Sequence, residues 1–132
     1  MDLAKFMEDY ANQVDGQFSE YDANKSVIIV PLPDQRFQSV VGEIKYAKKY
    51  DRKWIQFSSK ICEYRDDIDL KDLIEDNSDF SYAKLGITQD YLQIEAFIFV
   101  EHATDDILKE LIMEVATTAD KWEFKLTGLD IN

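Results

Sequence analysis

Between Tyr91 and Trp122 the spacing of apolar residues changes from two to three or four, and this change constrains the fold more than any other feature of the chain. Leu92, Ile94, Ala96, Ile98 and Val100 alternate with polar or aromatic residues, which aligns them on one face of a strand. After Thr104, the residues Ile107, Leu108, Leu111, Ile112, Val115, Ala116, Ala119 and Trp122 form a continuous helical stripe. Thr104 suits the N-cap, Asp105 and Asp106 suit the positive end of the helix, and Gly128 suits its stop. A strand with one aliphatic face and a helix with one apolar stripe bury those surfaces most economically against each other. The expected class is therefore α+β, with helices on one face of an antiparallel sheet.

Upstream, Leu3, Phe6, Met7, Tyr10, Ala11 and Val14 fall at helical steps, with Asp2 as N-cap and Gly16 as stop. Gln17 to Tyr21 and Val27 to Val30 flank the turn-rich Asp22-Ala23-Asn24-Lys25 and read as a strand pair closed by Pro31 and Pro33. Residues 36–46 and 53–64 read as a hairpin. Its second strand sets Ile55, Phe57, Ser59 and Ile61 on one side, and Trp54, Gln56, Ser58, Lys60 and Cys62 on the other. A short helix is expected over Leu70 to Asn77, then strands over Ser81 to Ile87 and Tyr91 to Val100. The order is α-β-β-β-β-α-β-β-α, and with no repeat or linker one domain over residues 1–132 is expected.

The charge is unevenly placed. Fifteen basic and 27 acidic residues give −12, of which −1 falls in residues 1–66 and −11 in residues 67–132. Such a field opposes phosphate backbones and anionic lipid, and no run of 18 apolar residues is available to span a membrane. The single cysteine, Cys62, has no internal disulfide partner, and the N-terminus lacks a secretory pattern, so a cytoplasmic location is expected. A partner of nucleic acid or membrane is not expected.

Chemistry is sparse. His102 lies near Glu101, Asp105 and Asp106, but one histidine and one cysteine fall short of a zinc ligand set. Glu63 beside Cys62 disfavours a reactive thiolate. The four glycines form no phosphate loop, and the acids at 66–69 and 75–79 lack the glycine and terminal glutamate of a calcium loop. No catalytic residue, metal or cofactor is nominated, and an enzyme is not expected. Lys45, Lys48, Lys49, Arg52 and Lys53, interleaved with Tyr46, Tyr50 and Trp54, form the best nucleic-acid candidate, and lysines also protect a hairpin tip from aggregation.

The sheet has two different faces. Opposite the aliphatic set, strand Tyr91 to Val100 carries Tyr91, Gln93, Glu95, Phe97 and Phe99, and Trp54 lies on the less aliphatic face of its own strand. Trp54, Tyr91, Phe97 and Phe99 are therefore the candidate protein-binding residues, for a partner protein or a second copy in a homodimer. The alternative is that a loop, or the segment Leu129 to Asn132, covers them.

Residues 70–122 resemble a known family: Leu70, Leu73, Ile74 and Asn77, then Phe80, Ala83, Leu85 and Gly86, then Leu92, Ile94, Ala96 and Phe97, then a capped helix with Ile107, Leu111, Val115 and Ala119. The pattern looks like the YbjN family of bacterial sensory transduction regulators, whose fold is that of type III secretion chaperones. The resemblance implies an α+β sandwich, often dimeric and without catalytic residues, in a group whose secretion chaperones are acidic cytosolic proteins holding a partner segment in extended form. It implies a non-enzymatic, chaperone-like or regulatory protein-binding domain, using a sheet face or edge strand. The alternative is a small-molecule-sensing domain with a cavity between sheet and helices.

Overall fold

The computed structural model describes residues 1–128. Helix α1 (Leu3–Gln13) starts where the Asp2 carboxylate accepts the Lys5 N–H at 3.0 Å. Four strands follow, β1 (Gln17–Asp22), β2 (Lys25–Leu32), β3 (Arg36–Ala47) and β4 (Arg52–Glu63). Helix α2 (Leu70–Asp76), strands β5 (Ala83–Thr88) and β6 (Tyr91–Phe99), and helix α3 (Asp105–Thr127) complete the order. The class is α+β, and the sheet is fully antiparallel with strand order β1-β2-β3-β4-β6-β5. The expected order of elements is the observed one.

The caps read from the sequence form as chemistry requires. Thr104 accepts the Ile107 N–H, and Gly128 ends α3 in the left-handed region at φ 70°, where a side chain would be strained. Gln89 and Asp90 both have positive φ and close the β5–β6 hairpin in two residues, the geometry that matches strand twist.

The three helices cover one face. Leu3, Met7 and Ala11 of α1 meet Ile28 and Val30 of β2, while Leu108, Leu111, Ile112, Val115 and Ala119 of α3 meet Ile55, Phe57, Ile94 and Ala96. Gly42 is required where α1 crosses β3, because a Cβ there would lie 2.5 Å from the Met7 sulfur and 2.9 Å from the Phe57 ring. Arg36 ties β3 to α3: its Nε and Nη2 donate to Asp120 Oδ2 at 2.9 and 2.6 Å.

Two local expectations are corrected. Pro31 does not end β2 but pairs with Phe37 inside the ladder. Strand β1 pairs no further than Ile29, so on that side Pro31 lies on a free edge, where proline is tolerated. Cys62 does not share the face of Trp54. A bulge between Lys60 and Cys62 inserts one residue and turns both Ile61 and Cys62 into the core.

Candidate functional site

The face opposite the helices is built from β3, β4 and β6. In the register of the last two, Trp54 stands opposite Phe99, Gln56 opposite Phe97, Ser58 opposite Glu95 and Lys60 opposite Gln93. Period-two alternation then forces Trp54, Phe97 and Phe99 onto one patch. The indole lies 4.6 Å from the Phe97 ring at 30° and 6.1 Å from Phe99 at 26°, and Tyr50 approaches Phe99 edge-on at 6.2 Å. No helix among the described residues crosses this patch, and Leu129 to Asn132, the segment considered as a cover, lies outside them.

The aromatic residues are half-buried, because they lie flat and carry cations. The Arg52 guanidinium sits 3.6 Å from the Phe99 centroid, and the Lys84 ammonium 4.7 Å from that of Phe97. Both contacts are cation–π geometry. Arg52 also pairs with Glu101 and meets His102 Nε2 at 3.2 Å, so His102 belongs to this surface polar cluster. Among the described residues no group of three or more metal-ligating side chains is assembled.

Tyr91 stands apart from the other three. It pairs with Glu63 at the far end of β4, about 27 Å along β6 from Phe99 at the usual rise per residue, and Lys60 covers its ring at 4.7 Å. The sequence placed these residues on one face correctly but gave no distance along it. Lys84 was missed as a neighbour of Phe97, because the β5–β6 pairing that brings it there is set by non-local packing.

Between the aromatic patch and Tyr21 the face sinks into a trough. One part, of about 530 Å³, is lined by Lys25, Lys45, Trp54, Gln56, Ser58 and Phe97 among others. A second, of about 280 Å³, is lined by Tyr21, Val27, Ser39, Val41 and Ser58, and the two share Val41, Ser58, Lys60 and Gln93. The floor is low because Ser39, Val41 and Ser58 are small. Neither part is lined by His102, and the polar side chains of the larger part include Glu43, Lys45, Gln56 and Glu95.

The remaining candidates are accounted for locally. Burial, more than any neighbouring charge, raises the Cys62 thiol pKa and keeps it neutral. Asp69 caps α2, Asp67 pairs with Arg65, and Asp76 accepts the Trp122 indole N–H at 2.6 Å. The β5 edge is partly closed to a further strand: Glu114 accepts the Ala83 N–H at 3.1 Å and Asn77 the Leu85 N–H at 3.0 Å.

No protein-family model matches the chain, and no curated protein matches it in sequence. Solved structures do match in fold. A chain of the HopA1–SchA chaperone–effector complex aligns with a TM-score of 0.63 at 14% identity, over 90% of this chain and 91% of its own. A chain of the ExsC–ExsE complex aligns with a TM-score of 0.61 at 13% identity, over 93% of this chain and 95% of its own. The chain therefore has the fold seen in these complexes.

Proposed function

We propose that residues 1–132 form one cytoplasmic, non-enzymatic domain that is chaperone-like in action, holding a segment of a partner protein against the open sheet face. The observation that carries this reading is the Trp54–Phe97–Phe99 patch, left without a covering helix among the described residues and continuous with a trough. The fold shared with chains of a chaperone–effector complex supports it, as does the YbjN-like hydrophobic pattern of residues 70–122. A second copy of the chain is the other protein occupant considered. The alternative of a ligand cavity between sheet and helices finds no support, because Ile55, Phe57, Ile94, Leu111 and Ile112 fill that layer in contact.

The test is affinity capture from native cytoplasm by the parent chain and by F97S/F99S, with light scattering of both. The reading expects a partner, or a dimer, that the parent holds and the double variant loses while its melting temperature stays within a few degrees. Equal capture by both versions removes the open face from the binding role.

A further inference from the structure

The β3–β4 hairpin differs in charge from the rest of the molecule. Residues 45–60 hold six cations, Lys45, Lys48, Lys49, Arg52, Lys53 and Lys60, against the single acid Asp51. This net +5 sits in a chain of −12, which leaves −17 elsewhere. Folding puts Lys45, Arg52 and Lys60 on the face of Trp54 and Lys53 on the other, and Lys25 reaches the trough from β2, where Glu43 and Glu95 also line it. Glu43, Glu95 and Glu101 already pair with Lys45, Lys84 and Arg52. Lys25, Lys48, Lys49, Lys53 and Lys60 have no carboxylate within 4.0 Å among the described residues.

Two polar atoms on the trough residues are also unsatisfied. Gln56 is 4% exposed, donates through Nε2 to Glu95, and leaves Oε1 without a partner. Trp54 Nε1, two residues away on the same face, is a buried donor without an acceptor. Both atoms lie beneath the surface, so a partner reaches them only where the Trp54 and Gln56 side chains shift, and the pair then calls for one donor and one acceptor. A polypeptide backbone supplies both, whereas a phosphate supplies acceptors only. Base stacking is also disfavoured, because Arg52 and Lys84 already occupy faces of Phe99 and Phe97.

Resting on the protein-binding reading, we propose that the trough takes an extended, acidic segment of a partner protein. Its apolar side chains lie on Val41 and Trp54, its carboxylates meet Lys25, Lys60 and the hairpin-tip lysines, and its backbone pairs with Gln56 and Trp54 as those side chains shift. A short segment of this kind meets the ammonium groups of Lys25 and Lys60, since the acids of the trough, Glu43 and Glu95, are held by Lys45 and Lys84, and charge farther away is screened over a Debye length of about 8 Å at physiological salt.

The full chain is titrated by fluorescence anisotropy into three labelled probes of equal length: a peptide alternating Glu and Leu, its Lys-for-Glu counterpart, and single-stranded oligothymidylate. The Glu–Leu probe is expected to bind about tenfold more tightly than either other probe, and to weaken as salt rises from about 0.15 to about 0.5 M. K45E/K60E should lower that affinity about tenfold with an unchanged circular-dichroism melt. Equal or tighter binding of the Lys–Leu probe overturns the acidic partner; if F97S/F99S then abolishes it, the protein-binding reading stands on its own. Tighter binding of the oligonucleotide replaces the proposal with a nucleic-acid surface. No binding of any probe, or binding indifferent to K45E/K60E, overturns the proposal, as does self-association of the parent that K45E/K60E abolishes.

Discussion

Phe57 and Trp54 lie three residues apart on β4, on opposite faces of one sheet. Phe57 is 0% exposed, sealed beneath α1 and α3 and close enough to β3 that residue 42 has to be glycine. Trp54 is half-buried against Phe97 and Phe99, with an indole donor unsatisfied and cations resting on its neighbours. Both faces use aromatic bulk, but only one spends it on folding. Helices exclude water from the covered face, so its burial stabilises the native state; the open face keeps its apolar area available and is held soluble by lysine and arginine.

The largest test of this contrast is a matched pair of truncations. Phe57→Ala should lower unfolding free energy by about 3–5 kcal/mol in urea titration, whereas Phe99→Ala should cost about 1 kcal/mol or less. Equal losses would mean that the open face is a second core rather than a surface held for a partner.

A smaller effect is expected from the link that holds α3 on the covered face. Arg36→Ala leaves the nearly buried Asp120 carboxylate without its two guanidinium hydrogen bonds, and should cost about 3 kcal/mol. Adding Asp120→Asn should recover part of that loss, since removing the orphaned charge removes its desolvation penalty. Failure to recover any of it would assign the loss to the packing of Arg36 on Phe124, whose ring centroid lies 4.7 Å from the guanidinium.

The smallest effect concerns pH. Burial raises the folded-state pKa of Cys62 above its ordinary value, so the native chain favours the neutral thiol. The associated stability is complete below the ordinary thiol pKa and is lost as pH rises through the raised folded value. Urea midpoints of the parent should fall more steeply than those of Cys62→Ala between about pH 8 and pH 10.5, the difference isolating the thiol from the tyrosines. Parallel slopes would place Cys62 back on the solvent side, as simple alternation along β4 implies.

Much of the fold is legible residue by residue. Asp2, Thr104 and Gly128 mark helix ends through hydrogen bonds and φ preferences that involve only a few neighbouring residues. The stripe from Ile107 to Trp122 and the alternation from Leu92 to Ile98 identify the covered face for the same reason. The aromatic set was legible as a face, since parity along β4 and β6 separates Trp54, Phe97 and Phe99 from Phe57 and Ala96. It was not legible as a patch, because nothing in the periodicity states that β6 pairs with β4 on one side and β5 on the other.

The sequence alone determined the element order, the helix ends and which faces of α1, β6 and α3 turn inward, because backbone geometry imposes periods of 2 and 3.6 on any buried face. Tertiary structure alone decided that Trp54 meets Phe97 and Phe99 while Tyr91 stands apart, that Lys84 caps Phe97, and that one inserted residue turns Cys62 into the core. Strand order, register and bulges are chosen by contacts between residues distant in the chain, where each alternative pairing preserves the same local pattern.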